Sequence, residues 1–151
     1  MMPGSWPWWH VKLRDRGCRI TIPRKAIIVL LINRSWKHPT AEDIYLAVHT
    51  TYPAIGLTTV YRTLELLEEM GIIRKLVFGD GQSRYEISDG PRWRYHEHLF
   101  CIKCARVMDY MDFVTEEEKL LKKIGKALSK KYKFKIKTHQ LHFYGLCEKC
   151  R

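Results

Sequence analysis

The stretch TTVYRTLELLEEMGIIRKLVFGDGQSRYEIS, residues 58–88, reads as a helix running into a hairpin, and that order decides the fold. Val60, Leu64 and Leu67 fall on one helical face, and Gly71 fits a C-terminal stop. The other face carries the hydrogen-bonding side chains of Thr59, Tyr61, Arg62 and Thr63. Two apolar runs, 72–78 and 83–88, flank Gly79-Asp80-Gly81, the turn chemistry of a β-hairpin. Upstream, Thr40-Ala41-Glu42-Asp43 has the form of a capping box and opens a helix to about Thr50. Before it, Pro23 is placed as an early helical residue of an apolar run ending at Asn33, although its Ile and Val content also suits a strand. Helix, helix, hairpin is the order of a winged helix, whose second helix enters the DNA major groove. A small α+β domain with no DNA role shows the same order.

The 151 residues suit one large domain or two small ones, and a hydrophobic content of 46% is that of a folded protein. The formal net charge of +11 favours a polyanionic partner such as nucleic acid over an acidic small molecule. It does not locate the partner's site, because the Lys-rich run 119–137 also reads as a solvated helix face. Residues 1–17 mix Trp6, Trp8 and Trp9 with charges and lack the apolar core of an export signal. The longest apolar run, 26–32, is too short to span a bilayer, so a cytoplasmic protein with no membrane partner is expected.

Asp89-Gly90-Pro91-Arg92 breaks the pattern and marks a hinge at 89–92 between a first domain, 1–88, and a second, 93–151. In the second domain, 98–102 and 107–111 read as strands, 116–132 as a helix with an acidic start and a basic end. Alternation at Phe134 and Ile136, then at Leu141 and Phe143, predicts further strand. Two C-x-x-C pairs, Cys101-Ile102-Lys103-Cys104 and Cys147-Glu148-Lys149-Cys150, enclose these elements. Two such pairs complete the tetrahedral sulfur cage that zinc prefers, and a closed four-thiolate site is structural, not catalytic. Two disulfides or four unrelated buried thiols are the alternatives; disulfides are disfavoured in a reducing compartment. Cys18 stands apart and reads as a small buried hydrophobe.

His96-Glu97-His98 precedes the first of these pairs. On a strand, residues two apart share a face, so both imidazoles can meet one ion. His38, Glu86 and Asp109 are further candidate ligands, a nitrogen and carboxylate set suited to Fe(II), Mn(II), Co(II) or Zn(II). His38 and Glu86 belong to the first domain and the others to the second, so a shared ion is expected to set the angle between the two. Spacing alone leaves open that these are unconnected polar residues.

The segments TIPR (21–24), HPTAEDIY (38–45), GLTTVYRTL (56–64), HEHLFCIKC (96–104) and HQLHFYGLC (139–147) together resemble the ferric uptake regulator family, in family order and over nearly the full chain. The resemblance implies an α+β protein: an N-terminal winged-helix DNA-binding domain followed by a small α/β dimerisation domain with structural zinc. It implies a homodimer on a palindromic, A/T-rich double-stranded operator. It implies structural Zn2+ at Cys101, Cys104, Cys147 and Cys150, and a regulatory Fe2+ or Mn2+, with Zn2+ as a further option, at His38, Glu86, His96, His98 and Asp109. A further family site uses a His before the His-x-His, the acid within it, a helix carboxylate and a late His. Here Tyr95 takes the first place, Glu97 and His139 match, and Glu117 stands for the helix carboxylate among Glu116, Glu117 and Glu118. Asp109 is similar to peroxide-sensing members and Glu86 to iron-sensing ones.

On this reading Tyr61 packs on thymine methyl groups, while Thr58, Thr59, Arg62 and Thr63 reach phosphates or base edges. Arg14, Arg16 and Arg19 add backbone or minor-groove contacts. The rival reading is a constitutive zinc-stabilised winged-helix protein whose metals are all structural. A metal hydrolase built on His96, His98 and a carboxylate lacks any motif for a substrate cleft or general base, so an enzyme is not expected.

Overall fold

The computed structural model describes residues 7–33, 37–88, 96–137 and 139–151. The expected hinge at 89–92 and Tyr95 lie outside these residues. The chain forms two compact units, 1–93 and 94–151.

The first unit begins with α1 (Trp8–Asp15), α2 (Ile22–Ile32), α3 (Ala41–Thr51) and α4 (Leu57–Glu69), and closes with the antiparallel pair β1 (Ile73–Val77) and β2 (Ser83–Ile87). Pro23 stands in the first turn of α2, which resolves the helix-or-strand ambiguity of 26–32 in favour of helix. The packing explains why: Ile27, Ile28 and Leu31 repeat at helical spacing and are buried. The capping box of α3 is formed on both sides, with Thr40 Oγ1 accepting from Asp43 N–H at 3.2 Å and Asp43 Oδ2 accepting from Thr40 N–H at 2.9 Å. Helix α4 buries Val60, Leu64 and Leu67 against α2 and α3, each worth about 1.5–3 kcal/mol once removed from water. Gly79 and Gly81, both with φ near +80°, turn β1 into β2, and the Asp80 carboxylate between them accepts two bonds from the buried Arg84 guanidinium at 3.1 and 2.7 Å.

Helix α1 has no counterpart in the sequence reading. Only Trp9 and Leu13 are buried, with Trp8 packed partly against the core, too short a pattern to register as periodicity, and its anchor is remote: Lys12 Nζ donates to Gly71 O at 2.9 Å. Placing that ammonium at the carbonyl end of α4 satisfies the helix terminus and its dipole.

The second unit holds β3 (Glu97–Cys101), β4 (Val107–Tyr110), α5 (Val114–Tyr132) and β5 (His142–Gly145), with sheet order β4-β3-β5. Strand β4 pairs antiparallel to β3, whereas β5 pairs parallel to it, His98 opposite His142 and Cys101 opposite Gly145. The strand expected around Phe134 and Ile136 is not formed; 134–137 is irregular, and Phe134 is 64% exposed. None of the residues of α5 is buried, although Leu120, Ile124 and Leu128 form a stripe along it. A helix with an uncovered apolar stripe lacks the surface that would complete its core. No helix among the described residues is long and apolar enough to cross a membrane.

Candidate metal centres and nucleic-acid interface

The parallel pairing of β3 and β5 explains how cysteines 43 residues apart come to meet. Both strands run the same way, so the loops that follow them emerge at the same end of the sheet. Ile102 N–H bonds Gly145 O at 2.9 Å, and each loop then folds into a tight knuckle: Ala105 N–H to Cys101 O at 2.9 Å, Cys150 N–H to Cys147 O at 2.8 Å. One sulfur from each of Cys101, Cys104, Cys147 and Cys150 lies within 4.8 Å of the other three, and the Cys104 and Cys147 sulfurs are 3.8 Å apart. A tetrahedral site with Zn–S near 2.3 Å has S···S edges of about 3.8 Å, whereas a disulfide needs about 2.05 Å. All four thiols are free, so the residues fit zinc and not two disulfides. The Cys101 thiol is pulled down to about 6, chiefly by the backbone N–H of Cys147, so amides already favour a thiolate there.

In the first unit, His38 and Glu86 form a buried pair, Nε2 to Oε2 at 3.2 Å. Arg74, the register partner of Glu86, holds the other oxygen at 2.6 and 2.8 Å. The guanidinium thus fixes the carboxylate while leaving Oε2 turned to the imidazole. The loop carrying His38 is tied to β2 through Tyr85 N–H and Pro39 O at 2.9 Å, and His38 itself has φ of +51°. A left-handed, non-glycine backbone costs about 1 kcal/mol, and such strain gathers at functional positions.

In the second unit, His96, His98 and Asp109 each offer a donor atom within 4.8 Å of the others. The imidazole rings of His96 and His98 are 5.0 Å apart, and Asp109 is the register partner of His98, with His98 Nε2 3.8 Å from Asp109 Oδ1. Two nitrogens and a carboxylate oxygen on one sheet face are a competent half-shell for a borderline divalent ion.

On α4, Thr58, Tyr61 and Arg62 are exposed and Thr59 is half-buried. Thr63 departs from the expected face: it is 7% exposed, buried next to the core residue Leu64. Thr59, Arg62 and Thr63 line a concavity of about 240 Å³ with Thr21 and Arg24 of the α2 start. Tyr61 Oη donates to Glu42 Oε1 at 2.5 Å; this bond holds the Glu42 carboxyl below its usual range and pushes the phenol up. Glu42 was not singled out from the sequence, since α3 and α4 meet only in the fold. Arg14 pairs with Asp15 at 3.1 Å and Arg16 lies 3.5 Å from Glu69 O, so both have local partners; Arg19 is exposed.

The family model described as "Ferric uptake regulator family" matches residues 15–144. The chain belongs to the ferric uptake regulator family. It is 40% identical over 139 residues to the ferric uptake regulation protein of Bacillus subtilis, covering 92% of this chain and 89% of that one. It is 34% identical to the peroxide operon regulator of the same organism, covering 91% and 88%. Among solved structures, the ferric uptake regulator of Pseudomonas aeruginosa with manganese aligns with a TM-score of 0.71 at 29% identity, over 92% of this chain and 97% of that one. The chain is thus a metal-responsive transcription regulator of a family that binds DNA operators as dimers.

The residues of the additional set expected in this Fur-family chain are not brought together among the described residues. Glu117 Oε1 accepts from Tyr110 Oη at 2.9 Å, and His139 lies exposed in the segment before β5. Among the described residues neither joins Glu97 in a ligand cluster; Glu97 gathers with His98 and His142 instead. His142 escaped the sequence reading because nothing local reveals a parallel partner 44 residues away.

Proposed function

We propose that this regulator binds a palindromic, A/T-rich operator as a homodimer when a second divalent cation, Fe(II) or Mn(II), is held by His38, Glu86, His96, His98 and Asp109. The observation that carries the reading is that each unit holds its part of the ligand set ready: a buried His–carboxylate pair in one, two imidazoles and a carboxylate in the other. Zinc at Cys101, Cys104, Cys147 and Cys150 supplies a permanent cross-link between β3 and β5. Arg74 orients Glu86, and β4 orients Asp109, so ligand placement is set by backbone register. Tyr61, Arg62, Thr58 and Thr59 face the duplex from α4, with Glu42 fixing the Tyr61 ring. The uncovered Leu120–Ile124–Leu128 stripe and the edge strand β5 supply the two-fold contact. Coupling of about 1–3 kcal/mol between cation and operator suffices for such a switch.

Iron is the proposed signal and repression the proposed outcome, supported by Glu86 and by the higher identity to the iron-named Bacillus relative. Asp109 favours a second reading, peroxide sensing. Fluorescence anisotropy on a palindromic duplex, with and without Mn(II) at fixed salt, tests the metal dependence. Binding unchanged by Mn(II) sinks it. Mass spectrometry after Fe(II) and peroxide separates the two signals: oxidised His38 or His96 identifies the second.

A further inference from the structure

Between Glu118 and Glu148 the chain holds no acidic residue, and nine lysines fall within 119–137. Five of them share one side of α5. At about 100° per residue, Lys119, Lys122, Lys123, Lys126 and Lys130 lie within roughly 100° of arc, across the helix from Leu120, Ile124 and Leu128. All five are exposed. Lys122 pairs with Glu118 at 2.6 Å, one turn back. Lys119 and Lys123, Lys122 and Lys126, and Lys126 and Lys130 are like charges four residues apart, a spacing that destabilises a helix. A solvated helix face alternates its signs, and this one does not. The macrodipole accounts for Lys130 and Lys131 in the last turn but does not reach Lys119 to Lys126.

A polyanion relieves such repulsion. The five charges span about 17 Å, one per roughly 4 Å, close to the spacing of about 3.4 Å per phosphate along one DNA strand. Lysine is a point charge without the guanidinium fork, and this side of α5 carries no aromatic ring on which bases stack. Such a ridge suits a phosphate backbone and not base edges or single strands. A basic amphipathic helix also suits an anionic bilayer, but the apolar stripe that a bilayer takes up is the one assigned above to the dimer contact. We propose that this lysine ridge is a second, sequence-independent surface for the phosphate backbone of double-stranded DNA, carried by the dimerisation unit in addition to the winged helix. Its binding depends on salt and not on the regulatory cation. Only the choice of duplex over bilayer rests on the dimer contact.

The test uses full-length, zinc-loaded dimer carrying Arg62→Glu, which sets a carboxylate against phosphate on α4. Fluorescence anisotropy with a random-sequence duplex, at about 0.1 M salt and without a second metal, is expected still to show binding. Adding Lys122→Gln, Lys126→Gln and Lys130→Gln is expected to weaken it about tenfold or more. The slope of log affinity against log salt should fall by about two to three, the release expected from three phosphate contacts. Lys135→Gln, Lys137→Gln and Lys149→Gln remove the same charge off the ridge and are expected to do much less. Retained zinc and retained dimer confirm that each variant is folded. Equal losses from the two triple variants overturn the ridge, as does affinity unchanged within about twofold, or no binding by the Arg62→Glu protein. Phosphatidylserine vesicles at the same salt read the rival: ridge substitutions that abolish vesicle binding and spare duplex binding overturn the DNA assignment. Failure of the dimer contact shows separately, in the sedimentation of Ile124→Glu.

Discussion

Ile124→Glu tests whether the uncovered stripe of α5 is the dimer contact. Ile124 is 43% exposed within one chain, and Leu120 and Leu128 on the same stripe are 57% and 42% exposed. Full burial of an Ile side chain is worth about 1.5–3 kcal/mol, so covering the remaining part contributes about 1 kcal/mol. A two-fold interface counts each substitution twice, which makes the lost burial about 2 kcal/mol. The introduced carboxylate adds at least as much again, since it must either be desolvated or hold the surfaces apart. A total of about 4 kcal/mol corresponds to roughly a thousandfold rise in the dimer dissociation constant. Sedimentation equilibrium on zinc-loaded protein reads this directly. Lys126→Glu, at an exposed position on the opposite side of α5, is the matched control and is expected to change the constant little. An Ile124→Glu protein that keeps its zinc and dimerises within about threefold of the wild type refutes the reasoning.

Thr40→Ala removes the capping box of α3 and is expected to cost about 1 kcal/mol in chemical denaturation, with metal content unchanged. Arg62→Ala is expected to weaken operator binding and, for a phosphate contact, to lower the slope of log affinity against log salt by about one; an unchanged slope and affinity remove Arg62 from the interface. Asp80→Asn breaks the pair with Arg84 that holds the Asp80 carboxyl below 3.8, and is expected to cost about 1 kcal/mol near neutrality. Because the native value is depressed, the wild-type advantage is fully present above the ordinary carboxylate value and disappears as pH falls through the lowered one. Paired denaturation curves that keep their gap down to strongly acid pH contradict that assignment.

Legibility in the sequence followed the range of the interactions. Thr40 and Asp43 are three residues apart, and Val60, Leu64 and Leu67 lie within two turns, so the cap and the α4 core face could be read locally and stand as read. Helix α1 could not, because Lys12 fastens it to Gly71 far along the chain. Thr63 shows a subtler limit: period alone gives a helix's apolar side but not the breadth of its buried arc, and Thr63 is buried beside a concavity that it shares with Thr21, Pro23 and Arg24. Alternation at Phe134 and Ile136 imitated a strand with no partner to pair with among the described residues. The donor residues at 38, 86, 96, 98 and 109 carried their chemistry openly, while Glu42 beside Tyr61 and His142 beside His98 became visible only through tertiary pairing.

The same parallel pairing leads to a prediction about zinc removal. Among its described residues the second unit buries little beyond Phe100, Cys101, Cys147, Glu97 and His98, and α5 adds no buried residue. The first unit has its own core, from Trp9 and Leu13 through Ile28, Ile44 and Leu64 to Ile73. Zinc held by the four cysteines would thus stand in for an apolar core in the second unit, while the first unit's own core is expected to stand without it. Cys147→Ser, or chelation after mild acidification that lets protons compete for the thiolates, is expected to release β5 from β3, because both knuckles sit at the same end of that strand pair. Two losses should then coincide: zinc content and the dimer. Far-ultraviolet dichroism should retain the helices α1 to α4, and hydrogen exchange should show protection surviving in 22–32 and 57–69 while 97–101 and 142–145 become unprotected. If exchange instead opens both units together, the first unit's core does not stand alone. If 142–145 stays protected without zinc, the sheet and not the metal holds β5 in register.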